Sequence, residues 1–533
     1  MKPANNMIAP RTALVAIPFH RRYLTLVDEI EHSFPVARWQ SGDVEIWPLA
    51  RMDLYLDMFW ANVGGSPSAS RPLPLPLRAI ARVATPLTNL WKSRRDLAHW
   101  VARPKPAHAI FLGDGVSLDF VDQEWQDRYC EPVIAGLERR GLGAFLMQSG
   151  DLSTLPWHRP TFAANVVAAR GSLTRFAAAA PVELPGHDEV LQFLARHEVR
   201  APSLSRGRLV RRASAVSATA AAFERVLRIV KPTLAFVVTY YADLGPAFLL
   251  ACRRQGILSV DLQHCPQEGA HKAYGWSALP DKGYTILPAL FWNWTEKDAA
   301  DIRRWASRLA APWHQSLHGG HLQLSTFLND SDPETKAWDA KFNEMSNGTA
   351  YEREILVALQ PVGGFRAQWA ALAAQIEAAP SGWRWWIRRH PSARAYQDAE
   401  YMRLVSLRMP NVVVDQALSL PLPALLRRMS VLVSRFSGAS AEAAQFGVPA
   451  FFLSEEARGQ FSDLIERGHA TVTDVQRLNA EIARMSTAPI RPAPIHQPDL
   501  DETLLHLEDI ARNYSQLCRN DKSSAGQVIT AKI

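Results

Sequence analysis

Residues 429–453, MSVLVSRFSGASAEAAQFGVPAFFL, contain the pattern that decides the predicted fold. The run at 431–433 is apolar and lacks helical periodicity, which is typical of a buried strand in a parallel sheet. A Ser/Gly turn and a run of helix formers follow, and Gly447 and Pro449 mark the end of a helix of about two turns. The segment PAFFL then predicts another strand. The stretch therefore predicts a strand–helix–strand unit of an open α/β sheet.

The turn at residues 436–440, named here the serine turn, is a candidate anion-binding site. Open α/β sheets bind ligands at the carboxyl ends of their strands, where helix N–H groups point outward. Ser437, Gly438 and Ser440 occupy that position, and we expect both hydroxyl groups to face outward. The alternative for Ser437 is an N-cap, a common structural role of serine.

A second polar element lies upstream, in WRWWIRRHPS at residues 383–392. Its aromatic part predicts a strand. The end of that strand carries Arg388, Arg389, His390 and Pro391, which supply positive charge and hydrogen-bond donors. We expect this strand end and the serine turn to form two sides of one phosphate site.

Composition limits the class of protein. A chain of 533 residues is too long for one ordinary core and indicates two or three domains. Its 47% hydrophobic and 21% charged content is typical of globular proteins. The 59 basic residues exceed the 52 acidic ones, and the net charge of +7 suits nucleotides, polyanions or an anionic membrane surface without choosing among them.

The four cysteines are widely spaced, so neither a zinc site nor a disulfide framework is predicted, and we expect no metal. The sequence has no secretion signal pattern and no apolar run of membrane-spanning length. These features predict a cytoplasmic protein.

Strand and helix patterns alternate along both halves of the chain. Apolar runs at 12–19 and 44–49 predict early strands, and runs at 108–113, 233–241 and 258–265 predict a parallel sheet. The basic segment at 71–105 fits either an amphipathic helix on anionic lipid or a solvated helical insertion, and the second is favoured. We predict domain boundaries at 1–285, 286–490 and 491–533, the last comprising a helix and a disordered tail.

Two strand ends in the first half carry candidate acid–base residues. Asp114 lies between Gly113 and Gly115, and it is either a turn carboxylate or a general base. His264 follows a predicted strand, and it is either a structural histidine or a general acid or base.

Four segments resemble a known enzyme family in order and spacing. They are KPTLAFVVTYY (231–241), ACRRQGILSVDLQHC (251–265), WRWWIRRHP (383–391) and VLVSRFSGASAEAAQFGVPAFFL (431–453). They resemble bacterial GT-B glycosyltransferases of capsule and lipopolysaccharide biosynthesis, especially the Kdo and sialic acid transferases. The resemblance covers residues 225–470. It implies an α/β fold with two Rossmann-like domains facing across a cleft, an acceptor domain followed by a donor domain, and a C-terminal helix that packs back.

The resemblance also implies roles for residues. His390 and Pro391 with Ser437 and Ser440 would hold the phosphate of a nucleotide-sugar donor, which is a substrate and not a cofactor. Asp114, or failing that His264 or His20, would deprotonate the acceptor. The remaining donor-site candidates are Arg388, Arg389 and Gly438 at the leaving phosphate and Glu442 at a ribose hydroxyl. The alternative for Glu442 is an ordinary exposed glutamate on a helix.

The family's HP dipeptide implies a CMP-linked donor, no metal or other cofactor, and an oligosaccharide or lipid-linked acceptor at the inner face of the membrane. The sequence departs from the family pattern at Cys265, where glycine is common, and at Gly438-Ala439, which separate two serines that are usually adjacent.

Other functions stay open. A cytidine-nucleotide polyol-phosphate transferase and a sugar-nucleotide epimerase use similar phosphate-binding halves. A non-enzymatic basic scaffold for membrane or nucleic acid is a further alternative. Nucleic acid is not expected, because base stacking requires exposed aromatic faces and the aromatic run at 383–386 is predicted to be half-buried.

Overall fold

The structure is a computed structural model that describes residues 19–62, 103–121, 123–149, 156–174, 181–242, 244–267, 271–346, 349–360, 366–390, 399–414, 417, 419–485 and 497–530. The predicted strand at 12–19 lies outside these ranges except for Phe19, which begins a helix. Most of the basic segment at 71–105 also lies outside them, as does Pro391.

The first α/β unit is built on a seven-stranded sheet in which all neighbouring strands are parallel. Apolar side chains cover both faces, as expected for a parallel sheet enclosed by helices. In spatial order the strands are Gln315–His318, Leu290–Asn293, Leu258–Leu262, Leu234–Val238, Ala109–Gly113, Ala144–Gln148 and Thr161–Ala163.

The second α/β unit has a six-stranded parallel sheet, and apolar clusters again cover both faces. The predicted strand–helix–strand unit supplies two adjacent interior strands of this sheet, with the helix Ala439–Gln445 between them and a left-handed Gly447 after the helix. In spatial order the strands are Val412–Val413, Trp383–Arg388, Arg353–Ala358, Val431–Ser434, Ala450–Phe452 and Ala470–Val472.

The two parallel sheets confirm the predicted class of two Rossmann-like α/β units. Helices surround both sheets. They are Phe19–Ser33, Trp47–Asn62, Cys130–Arg139, Asn165–Thr174, His187–Arg196, Arg206–Val230, Gly245–Gln255, Glu296–Ala306, Leu322–Leu328, Pro333–Met345, Arg366–Glu377, Ala399–Val405, Leu422–Leu426, Ala439–Gln445, Ala457–Gln460, Ser462–Glu466, Leu478–Arg484 and Leu500–Thr530. Within the described ranges, no helix is long and apolar enough to cross a membrane.

Two sequence interpretations differ from the structure. The apolar run at 44–49 gives only a two-residue strand, Val44–Glu45, in a small antiparallel sheet, and a helix begins at Trp47 because Pro48 fits a helix N-terminus. The first sheet also continues past the predicted boundary at 285, since the strands Leu290–Asn293 and Gln315–His318 belong to it.

The C-terminal helix Leu500–Thr530 packs back, as predicted, onto one face of the first sheet. Leu504, Leu507 and Tyr514 are buried there among side chains of the central strands. The helix extends beyond Asn520, where the sequence predicts a tail. The last element of the chain thus completes the core of the first unit.

A β-hairpin connects the two units near the cleft. It comprises Leu118–Val121 and Glu124–Asp127, and it leaves the first sheet after the strand Ala109–Gly113. Val121 packs against the apolar core of the second unit. The hairpin therefore places side chains of the first unit beside the second sheet.

Candidate active site in the cleft

The carboxyl ends of the two sheets meet across the cleft. Gly438 lies in the serine turn of the second unit, and Cys265 and Pro266 follow a central strand of the first. A Cβ atom added to Gly438 would lie 3.4 Å from Cδ of Pro266 and 3.9 Å from Cβ of Cys265, which is ordinary van der Waals distance. The serine turn therefore faces the strand ends of the first unit.

Hydrogen bonds within the serine turn fix its conformation. The Ser437 N–H donates to the Ser434 hydroxyl at 3.2 Å, and the Ser437 hydroxyl accepts from the Ala439 N–H at 3.3 Å. Ser440 is buried, and its hydroxyl donates to the Ser437 carbonyl at 2.7 Å. The prediction that the Ser440 hydroxyl faces outward is therefore wrong, because the first helical turn provides an internal acceptor for it.

The predicted phosphate-binding strand end is only partly exposed. Arg388 is buried and donates hydrogen bonds to the backbone carbonyls of Ala417 and Leu420, and burial lowers the pKa of Arg388 to about 10. Arg389 is half-buried, whereas His390 is exposed. Partial desolvation and the charge of Arg128 lower the pKa of His390. His390 is therefore open to solvent at the strand end, while Arg388 supports the loop that contains Ala417 and Leu420.

Asp119 joins the two units through donors that the sequence did not single out. Its Oδ1 accepts a hydrogen bond from Nη2 of Arg128 at 2.5 Å, and its Oδ2 accepts from Nε2 of Gln323 at 2.7 Å. Nη2 of Arg388 in the second unit is 3.9 Å from the same Oδ1. This buried carboxylate therefore holds two arginines together at the cleft.

Glu442 lies beside this charged cluster. Its side chain is buried, with 6% exposure, so the alternative of an ordinary exposed helical glutamate is wrong. Burial raises the pKa of Glu442 to about 7, against the lowering effect of Arg128. Near neutral pH the carboxyl group is close to half protonated, and it is able to accept or donate a hydrogen bond.

Asp114 follows the strand Ala109–Gly113, and a turn engages both of its oxygens. Its Oδ1 accepts hydrogen bonds from the N–H groups of Val116 and Ser117, at 2.8 and 2.7 Å. Its Oδ2 accepts from the hydroxyl groups of Ser117 and Thr239, at 2.9 and 3.0 Å. Donors on both oxygens make this carboxylate part of the turn that ends the strand.

Thr239 is conformationally strained. Its φ is 56°, in the left-handed region that β-branched residues rarely adopt. Thr239 comes directly after the central strand Leu234–Val238, and its hydrogen bond to Asp114 helps to stabilise this conformation. Strain of this kind is typically about 1–3 kcal/mol and is concentrated at functional sites.

His264 has an uncommitted ring nitrogen. Its Nε2 lies 3.1 Å from the Tyr241 hydroxyl and 3.5 Å from Sγ of Cys265. Its Nδ1 is buried and has no hydrogen-bond partner among the described residues. Burial lowers the pKa of His264 to about 4, so the ring is neutral at pH 7. His20 is buried in the helix Phe19–Ser33, and it lies close enough to His271 to interact with it electrostatically.

A cavity of about 460 Å³ lies between the units beside Glu442. Trp294 and His321 of the first unit line it, opposite Gln445 of the second. Nδ1 of His321 accepts a hydrogen bond from the Leu324 N–H, and burial lowers the pKa of His321 to about 3. The ring is therefore neutral with its hydrogen on Nε2, which is buried and has no acceptor among the described residues.

The structure brings most sequence candidates to one cleft. The serine turn, Glu442 and the strand end at Arg388 lie on its second-unit side, while His264 and Asp114 lie on its first-unit side. The sequence did not single out Asp119, Arg128, Thr239 or Lys272, and it favoured a surface loop over a metal site for His321, which is buried in the structure. Like the residues that the sequence did single out, Arg128 is a polar residue shortly after a strand. Its strand belongs to an inserted hairpin and not to the parallel sheet, so the sequence pattern does not place it at the cleft. No group of three or more His, Cys, Asp or Glu residues in the described ranges is arranged to hold a metal ion.

Comparisons with known proteins give structural likenesses only. No protein-family model and no curated protein matches the chain. A UDP-GlcNAc 2-epimerase from Neisseria meningitidis bound to UDP-GlcNAc is 14% identical, with a TM-score of 0.46, over 76% of this chain and 99% of that one. The glycosyltransferase SnogD from Streptomyces nogalater is 13% identical, with a TM-score of 0.37, over 79% and 99%.

Proposed function

We propose that this protein is a glycosyltransferase that moves a sugar from a nucleotide donor to a polysaccharide, lipopolysaccharide or lipid-linked acceptor. The observation that carries the proposal is the serine turn, which faces the strand ends of the first unit across a cleft that also contains Arg128 and His390. A helix N-terminus and nearby cations are suited to a phosphate. The cleft has functional groups on both sides, as transfer between two substrates requires.

The donor phosphate would lie between the serine turn and His390. The Gly438 N–H and the Ser437 hydroxyl would stabilise the charge that develops on the leaving nucleotide. Arg128 and Arg388, held by Asp119, add a positive potential to this side of the cleft. Glu442 is placed to hydrogen-bond a ribose hydroxyl, and its raised pKa permits either direction of that bond.

His264 is the better supported base. Its ring is neutral at pH 7, and when Nε2 donates to Tyr241 the buried Nδ1 would accept the proton of an acceptor hydroxyl that reaches it in the complex. Asp114, which the family resemblance implies as the base, has donors on both oxygens and is suited to holding the turn and Thr239. An enzyme of this design is proposed to work without a metal ion.

The experiment is a thermal unfolding scan with CMP, CDP, UDP and GDP. The family resemblance implies a larger stabilisation by cytidine nucleotides. A ligand at about 100 times its dissociation constant adds roughly 2.7 kcal/mol to the stability of the folded state. His390→Ala should remove most of the effect. Failure of all four nucleotides to stabilise the protein would contradict the proposal.

Turnover distinguishes a transferase from an epimerase. A transferase releases free nucleotide and places the sugar on an acceptor or on water. Conversion of a sugar nucleotide into its isomer without an acceptor would instead establish an epimerase that uses the same phosphate site. A stronger response to UDP than to CMP would overturn the cytidine donor alone.

A further inference from the structure

Basic side chains gather on the first-unit side of the cleft, apart from the proposed phosphate site. Nζ of Lys272 lies 3.4 Å from Nε2 of His271. Sγ of Cys265 lies 3.7 Å from that same Nε2 and 3.5 Å from Nε2 of His264. Because Cys265 is adjacent to Gly438 of the serine turn, the cluster faces the place where the donor would bind.

Aromatic rings surround the Lys272 ammonium group. Its Nζ lies 4.8 Å from the ring centre of Tyr55 and 5.5 Å from that of Tyr241. Such cation–π contacts hold a cation in place without neutralising its charge. Lys272 and His271 are both half-buried, so a ligand can reach them.

Lys272 and His271 lack a matching negative charge. Among the residues that the structure describes, no carboxylate contributes to the electrostatic environment of either side chain. The buried carboxyl of Asp261 accepts hydrogen bonds from Tyr274 and Gln267, and burial raises its pKa to about 8, so it is largely neutral at pH 7. Burial lowers the pKa of Lys272, and burial and the charge of Lys272 lower that of His271. A bound anion would relieve both effects.

We propose that Lys272 and His271 bind an anionic group, a phosphate or a carboxylate, on the acceptor substrate. This inference rests on the proposed function, because it treats the first-unit side of the cleft as the acceptor side. The ammonium and an imidazole N–H would contact the anion, and the acceptor hydroxyl would then lie near His264. The site would select charged acceptors over neutral ones.

The test titrates methyl phosphate or acetate into full-length protein saturated with its nucleotide, at constant ionic strength, and follows thermal unfolding. Prior saturation with nucleotide fills the first phosphate site. We expect additional saturable stabilisation by at least one anion. Lys272→Met should weaken this anion binding by at least about tenfold, the effect of losing one charged hydrogen bond. Lys272→Arg should retain it, and Lys282→Met, which removes an exposed lysine charge from the same unit, is the matched control.

The outcomes separate the two proposals. If a nucleotide stabilises the protein but neither anion adds to the effect, or if Lys272→Met binds the anion as tightly as the unaltered protein, the acceptor site is refuted and the donor site stands. If no nucleotide binds, the proposed function itself fails. Methyl phosphate acting more strongly than acetate identifies a phosphate ligand, and the reverse identifies a carboxylate. Should Lys272→Met not fold, His271→Asn must show the same loss of anion binding.

Discussion

Replacing Glu442 with glutamine should change how protein stability depends on pH. Burial raises the pKa of this carboxyl from 4.5 to about 7. The folded state therefore binds the proton more tightly than the unfolded state, and the stability due to protonation is lost as pH rises toward and through 7. At about 1.36 kcal/mol per pKa unit, the full effect is about 3 kcal/mol, of which about 2.5 kcal/mol is lost between pH 5 and pH 8.

The assay is urea unfolding of the unaltered protein and of Glu442→Gln at both pH values, with fluorescence as the signal. Glutamine does not titrate, so the stability of the variant relative to the unaltered protein should increase by about 2.5 kcal/mol from pH 5 to pH 8. Other titrating groups cancel in this difference. Glu466→Gln is the matched control, because Glu466 is exposed in the same unit and its replacement should give little pH-dependent difference. A relative stability of Glu442→Gln that stays constant with pH would refute the reasoning.

The other predictions concern the same cleft. Ser440→Ala should lower the free energy of unfolding by about 1 kcal/mol, since it removes a buried hydrogen bond. Ser437→Ala should instead weaken nucleotide binding more than it lowers stability. Equal behaviour of the two variants in unfolding and binding assays would contradict this division of roles. Asp119→Ala should lower the free energy of unfolding by about 3–5 kcal/mol, because it leaves Arg128 buried without its partner. Asp330→Ala, at an exposed ion pair, should lower it by less than about 1 kcal/mol. Similar urea midpoints for both variants would refute the bridging role of Asp119. His264→Gln should lower turnover by roughly 100-fold and leave the nucleotide-induced thermal shift intact, and normal turnover would exclude His264 as the base.

Local sequence patterns predict the strands because their causes are local. The run at 431–433 is apolar, without helical period, and flanked by turn residues, which leaves few alternatives to a buried strand. The same signal does not identify the sheet that receives a strand. The strand Leu290–Asn293 therefore falls beyond the predicted boundary although its apolar character is evident. At Trp47 the type of element itself is ambiguous, since an apolar run that ends in Trp-Pro-Leu suits either a strand or the start of a helix.

Part of the candidate site could be predicted from the sequence for a similar reason. The serine turn and His264 directly follow strands, so their position at the cleft follows from parallel topology. Asp119 and Lys272 lie on an inserted hairpin and a long connection, whose paths depend on contacts with distant segments. Gln323 donates to Asp119 across 204 positions of sequence, and no periodicity encodes that contact. The inward turn of the Ser440 hydroxyl depends on side-chain geometry, which a residue pattern does not specify.

The C-terminal helix has a consequence for biosynthesis. Domains of a nascent chain generally fold in the order in which they are made. Here, however, one face of the first sheet lacks the side chains of Leu504, Leu507 and Tyr514 until that helix has been synthesised, after both sheets. Both sheets are synthesised while that apolar face is still uncovered, which is when aggregation and chaperone binding are most favourable. A premature stop near residue 495 would therefore damage the first unit, although every strand of that unit precedes the stop.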